Sequence, residues 1–181
     1  PYTIQGLGKG VWAINVNLIN SWQGIDFGTN PSDGHYLYYI GGSPIKTGVY
    51  LGNNDTAGWV ENCQFNPHYW FYTKYGKQLG LDNDVDTYTT YLVQHLEAFV
   101  FGYNKREHLL GNFVFAAKNG ITLRQQEGLG AFNGLVIGFG ADHCSRSLVV
   151  EQADVVEFVN SQLVTVNPVI ERRYVDILES N

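Results

Sequence analysis

The side chains of this chain with the clearest potential for chemistry lie in one polar stretch, Asp142 to Ser147. It contains a carboxylate, an imidazole, a thiol, two hydroxyls and a guanidinium. The stretch follows an apolar segment, Leu135 to Ile137, that predicts a buried strand. Gly138 and Gly140 then allow the backbone to turn or to approach a ligand closely. The pattern predicts a polar loop between two strands, which either grips a small polar ligand or is a solvated hairpin loop.

Enzymatic use of this stretch would depend on Cys144 and its neighbour His143. Adjacent residues on an extended chain point to opposite sides, so this pair cannot act together directly. A catalytic thiol would then need a remote histidine as its base. The candidates are His35, His68, His95 and His108. Since nothing in the sequence selects one of them, we expect no cysteine enzyme.

Two other segments carry residues that a metal or a phosphate could use. Asp82, Asp84 and Asp86 lie in the acidic segment 76–86. The glycine and the terminal glutamate of a calcium-binding EF-hand loop are out of place there, so we interpret the segment as a solvated loop. The glycine-rich segment 6–10 matches neither a phosphate-binding loop nor the G-x-G-x-x-G order of a dinucleotide site. We therefore expect no metal and no cofactor.

The composition favours one strand-rich domain. The 181 residues include 21 Gly, 12 Tyr and 10 Phe, and only 15% are charged, which is typical of an all-β domain. A net charge of −6 argues against nucleic-acid binding, and no segment is apolar enough to predict membrane insertion. Cys63 and Cys144 do not make a disulfide framework. Pro1 fits simple removal of an initiator methionine, so we expect a cytoplasmic protein, with secretion left open.

Short strands separated by turn residues follow one another along most of the chain. Turn signals recur about every ten residues, which predicts a closed or layered β architecture. The predicted strands cover residues 12–18, 25–28, 35–40, 46–51, 69–75, 87–93, 97–103, 112–117, 120–124, 135–137, 148–159 and 162–166. Asn119-Gly120 favours a tight hairpin turn. We expect residues 1–166 to form one domain and residues 167–181 to form a charged tail, which is an extra strand or a short helix and a candidate dimer contact.

Several spaced motifs, taken together, resemble those of the jacalin-related lectins. They cover most of the chain and are of moderate specificity, and none of them alone is diagnostic. The motifs are Trp22-Gln23-Gly24-Ile25-Asp26-Phe27, Gly41-Gly42-Ser43, Glu97 with Gly102, Phe113 to Gly120, and Leu135-Val136-Ile137-Gly138-Phe139 followed by Asp142 to Ser147. The single uncut chain is similar to the mannose-binding, fungal-like members of this family.

The resemblance implies an all-β fold, a β-prism of three four-stranded antiparallel sheets with pseudo-threefold symmetry. It also implies a lectin that binds mannose- or glucose-type glycans without catalysis and gains avidity as a homodimer. Two alternatives stay open. One is a glycan-processing hydrolase on a β scaffold with an acidic pair such as Asp82 and Asp142. The other is a β-rich pore-forming or structural protein, although the sequence lacks the long Ser/Thr-rich hairpin that this requires.

The family's main sugar site combines a glycine-rich loop near the N-terminus with a loop near the C-terminus. By that pattern, the backbone N–H groups of Gly8 and Gly10 would donate to the sugar. The Asp142 carboxylate would accept from its hydroxyls, because ionised acceptors make the stronger bonds. His143 and Arg146 would contact the sugar at the rim of the site.

The same pattern implies a second site, lined by Gly41 and Gly42 opposite Trp22 and Gln23. One departure from the family concerns the sugar-binding aspartate, since Asp142 lies several residues too early in its loop. The residues that would align with that aspartate are Leu148, Val149 and Gln152, and Gln23 in the first third of the chain. Which residue replaces the family aspartate therefore stays open.

Overall fold

A computed structural model of the chain describes residues 1–80, 83–165 and 173–177. Strands dominate these residues, and three helices interrupt them. The strands are β1 (Ile4–Gln5), β2 (Trp12–Leu18), β3 (Gln23–Phe27), β4 (Tyr36–Gly42), β5 (Thr47–Leu51), β6 (Asn54–Glu61), β7 (Gln64–Phe65), β8 (Glu97–Phe101), β9 (Asn104–Leu110), β10 (Phe113–Leu123), β11 (Phe132–Ile137), β12 (Gly140–Val150), β13 (Ala153–Val159), β14 (Gln162–Leu163) and β15 (Arg173–Ile177). The helices are α1 (His68–Phe71), α2 (Lys74–Gln78) and α3 (Val85–His95). None of the described helices is long and apolar enough to cross a membrane.

All ladders between these named strands are parallel. Paired residues lie 21 to 28 residues apart along the chain, as in Ile4 with Ile25 and Phe132 with Asn104. Across the three helices the interval rises to about twice that length, as in Thr47 with Glu97. A chain that returns beside itself in the same direction at a regular interval must wind as a coil. The architecture is therefore a parallel β-helix. We call each turn of the coil a rung, and the strands of one rung form hydrogen bonds with those of the rungs before and after it.

Each rung passes over three faces in a constant order, because the longer strands bend from one face to the next. Face 1 holds β1, β3, β5, β8, β15 and the second parts of β10 and β12. Face 3 holds β6, β9, β11, β13 and the first parts of β2 and β4. Face 2 holds β7, β14, the second parts of β2 and β4, and the first parts of β10 and β12. Rung 1 is β1–β2, rung 2 is β3–β4 and rung 3 is β5–β7. Rungs 4, 5 and 6 begin on face 1 with β8, β10 and β12.

The core is made of columns of apolar side chains that stack from rung to rung. On face 1, Ile25 lies beside Val49, and Val49 lies beside Phe99. On face 3, Leu37 pairs with Val60 in the same way. These side chains are fully buried. A residue on one rung thus covers its counterpart on the next, which is why a short repeated pattern of inward-facing apolar residues forms a continuous core.

The corner between faces 3 and 2 depends on one left-handed residue in each rung. These residues are Asn15, Tyr39, Asn62, Gly111, Gly138 and Asn160, with φ between 50° and 65°. Gly and Asn adopt this conformation at the lowest cost. We call this set of six residues the left-handed corner. Tyr39 is its one member that is neither Gly nor Asn. The corner turns each strand sharply while the ladder continues on both sides of it.

The expected all-β prism of three antiparallel four-stranded sheets is wrong. The strands form one continuous, parallel, coiled sheet of fifteen strands within the described residues, accompanied by helices. Alternation of apolar and polar residues places one side of a strand in the core, but it carries no information on the direction of the neighbouring strand. Of the motifs that resemble jacalin-related lectins, Trp22 to Phe27 overlaps β3, whereas the predicted glycine-pair loop at Gly41 and Gly42 is the end of strand β4. The order of the motifs in the chain did not determine how the strands pair.

Two predicted strands, 69–75 and 87–93, and the loop 76–86 are also corrected, because this region contains α1, α2 and α3. The aromatic and β-branched composition of residues 87–93 favours a strand. Tertiary packing overrides it: Leu92 and Val93 are buried on one face of α3, which packs on β10 and β12. Thr73 caps α2, since its hydroxyl accepts a hydrogen bond from Gly76 N at 3.0 Å.

The expected hairpin at Asn119-Gly120 is a single strand, β10, that bends at Ala116 with a φ of 64°. The predicted loop Asp142 to Ser147 likewise belongs to one strand, β12, which bends at His143. The predicted strand at residues 12–18 has the same bounds as β2 and is confirmed. Of the expected tail, residues 173–177 form β15 on this chain's own β12, and the rest lies outside the described residues.

Candidate functional site

A concave polar surface lies on rungs 1 to 3, where face 3 turns into face 2. Side chains from β2, β4, the residue after β6 and β7 meet there because the ladder sets them side by side. The lining residues are Asn15, Val16, Asn17, Tyr39, Ile40, Gly41, Asn62, Gln64 and Tyr69. They enclose about 210 Å³. We call this site the amide groove, because four of its side chains are carboxamides.

Gly41 lies on the floor of the amide groove between two of these side chains. It pairs with Asn17 on one side and with Gln64 on the other. A Cβ atom at this position would lie 3.0 Å from Asn17 Oδ1 and 3.2 Å from the ring of Tyr69. Tyr69 forms the wall, and its hydroxyl donates to Gln64 Oε1 at 3.3 Å. The absence of a side chain at Gly41 therefore keeps the groove open.

The groove continues along face 2 into a second depression of about 290 Å³ that shares Gln64 and Tyr69 with it. Asn66, His68 and Tyr72 complete this depression. The His68 ring is fixed from two directions: its Nδ1 lies 2.6 Å from Asn66 Oδ1, and the ring stacks on Tyr72 at 5.5 Å. The combined groove crosses rungs 1 to 3 and extends beyond Gln64 on rung 3, and Tyr69 of α1 forms part of its wall.

The chemistry of the lining is neutral hydrogen bonding. Each carboxamide offers two N–H donors and one carbonyl acceptor, and the tyrosine hydroxyls do both. No carboxylate, lysine or arginine lines the amide groove among the described residues. Within the same residues, no cluster of three or more His, Cys, Asp or Glu side chains could hold a metal ion. The groove is suited to a neutral ligand with many hydroxyl groups.

The residues of the predicted second site lie apart from one another in the structure. Gly41 is in the amide groove, and Gly42 is buried directly below it, packed against the backbone of Leu18 with a φ of 150°. Trp22 and Gln23 lie past the next corner, where face 2 turns into face 1, and Trp22 is half exposed. Gly41 is thus the one residue of this predicted set that lines the groove.

The predicted main site is also divided along the coil. Gly8 and Gly10 lie on rung 1, where Gly10 N donates to Asp33 O at 2.8 Å. Asp142 lies on rung 5, paired with Phe115. Four rungs correspond to roughly 19 Å along the coil axis. The structure therefore does not bring these glycines and this carboxylate together.

His143 lies at the bend of β12, and Arg146 lies beyond that bend on face 1. The His143 ring stacks on Phe115 at 5.3 Å. Arg146 Nε donates to Asn119 Oδ1 at 3.0 Å, and Asn119 Nδ2 donates to Glu97 Oε1 at 3.1 Å. These contacts extend between neighbouring rungs, so they support the coil.

Both thiols are free and buried. Burial raises the pKa of Cys63 and the pKa of Cys144 to about 12. Each Sγ lies near a backbone carbonyl, Cys63 near Glu61 O at 3.4 Å and Cys144 near Asp142 O at 3.5 Å. A thiol with such a pKa is protonated at neutral pH and is a poor nucleophile.

A second polar cluster lies inside the coil and consists of Ser32, His35 and Glu107, all fully buried. Ser32 Oγ donates to Gly52 O at 2.7 Å, so His35 Nδ1, 2.9 Å away, must donate to that hydroxyl. His35 Nε2 lies 3.2 Å from Glu107 Oε1 and 3.0 Å from Oε2, and only the first contact has hydrogen-bond geometry. We call this set the buried triad.

The electrostatics of the buried triad favour an ion pair. Burial by itself would lower the pKa of His35, but the charge of Glu107 and the hydrogen bond to it raise the pKa above its usual value. Because the Ser32 proton is directed to a backbone carbonyl and the whole triad is shielded from solvent, the hydroxyl is not prepared as a nucleophile. The buried triad is a structural cluster.

Sequence reasoning found Gly41 and missed the other groove residues, which lie in three separate segments of the chain. An internal repeat could have found them. Residues 24–28 (GIDFG), 48–52 (GVYLG) and 98–102 (AFVFG) share one pattern at intervals that match the rungs. Such a period is the sequence signature of a coil. Aligning the rungs on it places Asn17 and Gly41 in one column, each seven residues before its repeat. Gln64 joins this column only through the ladder between β4 and β7, because the three helices separate it from the third repeat.

Comparison with protein-family models, with curated proteins and with solved structures found no match to this chain. The fold and the candidate site therefore rest on the residues and contacts of the chain itself.

Proposed function

We propose that this protein binds neutral carbohydrate in the amide groove without catalysing a reaction. The observation that carries the proposal is the lining: four carboxamides and two tyrosines converge on one concave site, and Gly41 keeps its floor open. Sugar hydroxyls both donate and accept hydrogen bonds, so carboxamides match them. The lining by itself supports a neutral ligand with many hydroxyl groups. Mannose and glucose are the proposed sugars because the resemblance to jacalin-related lectins implies them.

A hydrolase needs an acid and a base at the bond that it breaks. Of the acidic pair considered from the sequence, Asp142 lies on rung 5, two rungs beyond the groove. Asp82 lies outside the described residues. The uncharged lining of the groove favours binding over general acid–base catalysis. Incubation with an aryl mannoside and an aryl glucoside distinguishes a hydrolase from a binding protein, since only a hydrolase releases the phenol.

Calorimetric titration with mannose and with glucose tests the proposal. Gln64→Ala should lower the affinity roughly tenfold or more, because the ligand and Tyr69 both lose a hydrogen-bonding partner. Gln162→Ala is the matched control, since Gln162 is exposed and lies in the same column of face 2, three rungs away. Equal losses in the two variants, or no heat with either sugar, would overturn the proposal.

A further inference from the structure

We infer that the ligand of the amide groove is a linear oligosaccharide whose further sugar units stack on an aromatic surface of face 3. This inference rests on the proposed function and extends it from a single sugar to a chain. The surface, which we call the aromatic platform, is formed by Trp12, Tyr36 and Trp59. They occupy one column on rungs 1 to 3, because Trp12 pairs with Tyr36 and Tyr36 pairs with Trp59.

The aromatic platform is exposed. Trp12 is 67% exposed and Trp59 is 37% exposed, although large aromatic side chains usually bury most of their surface. Together with Gly34, Ala57 and Glu61, the three rings line a shallow depression of about 460 Å³. An exposed ring offers an apolar face to the C–H face of a sugar, and the nearby carboxylate of Glu61 can accept from its hydroxyls.

The rings are held in place before any ligand arrives. Trp12 Nε1 donates to Gly34 O at 3.3 Å, and the Tyr36 hydroxyl donates to Glu61 Oε2 at 3.2 Å. The Trp59 ring stacks on His108 of the next rung at 4.1 Å. Fixed side chains lose little conformational entropy when a ligand binds. The platform therefore has the rigidity expected of a binding surface.

The aromatic platform and the amide groove are neighbours along the chain, since the same three rungs carry both. Trp12 and Asn17 are on β2, Tyr36 and Gly41 are on β4, and Trp59 precedes Gln64 by five residues. The left-handed corner at Asn15, Tyr39 and Asn62 lies between the two surfaces, so the path between them is bent and at most roughly 17 Å long. The two depressions, of about 210 and 460 Å³, share no lining residue, so a ligand that fills both is a chain of sugar units that crosses this corner.

The experiment measures affinity against chain length. The probes are mannose and glucose, and their linear disaccharides, tetrasaccharides and hexasaccharides, titrated into the full chain. Affinity should rise from the monosaccharide to the hexasaccharide. Trp12→Ala and Trp59→Ala should each lower hexasaccharide affinity roughly tenfold and leave monosaccharide affinity unchanged. The matched control is Tyr75→Ala, because Tyr75 is 72% exposed on α2 and lines neither surface.

The possible results separate this inference from the proposed function. Monosaccharide binding that depends on Gln64 but does not strengthen with chain length would overturn the inference and leave the proposed function standing. Failure of every saccharide to bind would overturn both. If Trp12→Ala instead converts a dimer into a monomer in sedimentation while hexasaccharide affinity is unchanged, the platform is a contact between two copies, and the inference is wrong. Thermal unfolding of each variant verifies that it is folded.

Discussion

The amide groove and the buried triad are two polar clusters of this coil, and each has the solvent access that its residue types would suggest for the other. Ser32, His35 and Glu107 have the side chains of a hydrolase, yet they are sealed in the core and held together as a hydrogen-bonded ion pair. The polar side chains of the groove are only carboxamides and tyrosine hydroxyls, yet the groove is open to solvent. Solvent exposure of the side chains, and the acceptor to which each hydroxyl donates its proton, indicate which cluster binds a ligand better than the residue types do.

The largest effect should come from breaking the buried triad. Glu107→Ala leaves a buried His35 without its counter-charge and should lower the free energy of unfolding by about 3–5 kcal/mol. Urea unfolding followed by fluorescence measures this loss. Glu157→Ala is the control, since Glu157 is an exposed glutamate on face 3. A loss no larger than that of the control would show that the triad is not a stabilising cluster.

The amide groove should behave in the reverse manner. Asn17→Ala removes an exposed hydrogen-bonding side chain and should lower sugar affinity roughly tenfold. Its free energy of unfolding should stay within about 0.5 kcal/mol of the unchanged protein, because surface substitutions rarely exceed that. Calorimetry and urea unfolding of the same sample give both values. A variant that loses stability and keeps affinity would remove the contrast between the two clusters.

The two clusters should also differ in their response to pH. The pKa of His35 is higher in the folded protein than its ordinary value of 6.5, so its stabilising contribution is fully present below about pH 6.5. It is lost as the pH rises through the raised pKa. Unfolding free energies measured from pH 5 upward, in the unchanged protein and in Glu107→Gln, should show this slope in the first and a weaker slope in the second.

Sugar binding in the amide groove should change little over the same pH range, since none of its lining side chains is a carboxylate, a histidine or a lysine. Titrations at the pH values of the unfolding series measure this directly. A sugar affinity that follows the titration of His35 would mean that the two clusters are coupled.

The smallest effect should come from the floor of the groove. Gly41→Ala adds a methyl group 3.0 Å from Asn17 Oδ1 and 3.2 Å from the Tyr69 ring. Both neighbours are side chains that can shift slightly, so we expect a loss of affinity of a few-fold and little change in stability. Calorimetry compares this variant with Gly8→Ala, where a Cβ would meet nothing within 4 Å. Equal affinities in the two variants would show that the ligand does not reach the floor.

The sequence allowed some elements to be predicted because local rules determine them. The alternation of apolar and polar residues predicted the first and last residues of β2 correctly, because one side of that strand faces the core. The pairing direction could not be predicted in this way, because it depends on residues more than twenty positions away. In α3, composition favoured a strand, although Tyr88 and Leu92, and Thr89 and Val93, recur at the four-residue spacing of a helix.

The site was partly predictable for a similar reason. Gly41 was found through its glycine-pair motif, and it does line the groove. Asn17 and Gln64 could not be recognised one at a time, because an isolated surface amide has no distinctive signal. They become a site only when the ladder places them on either side of Gly41. The repeat in the sequence sets the register of Asn17 with Gly41, and the helices after Gln64 hide its place in the same column.

The left-handed corner has a consequence for protein engineering. Because each rung bonds only to its two neighbours, residues at the corner can be exchanged one rung at a time without altering strand pairing. Tyr39 holds a bulky side chain in a conformation that costs about 1–2 kcal/mol for such residues. Its ring stands 56% exposed at the rim of the groove. Substitution by Asn or Gly would relieve that strain and widen the rim, which makes Tyr39 the natural position at which to redesign ligand selectivity.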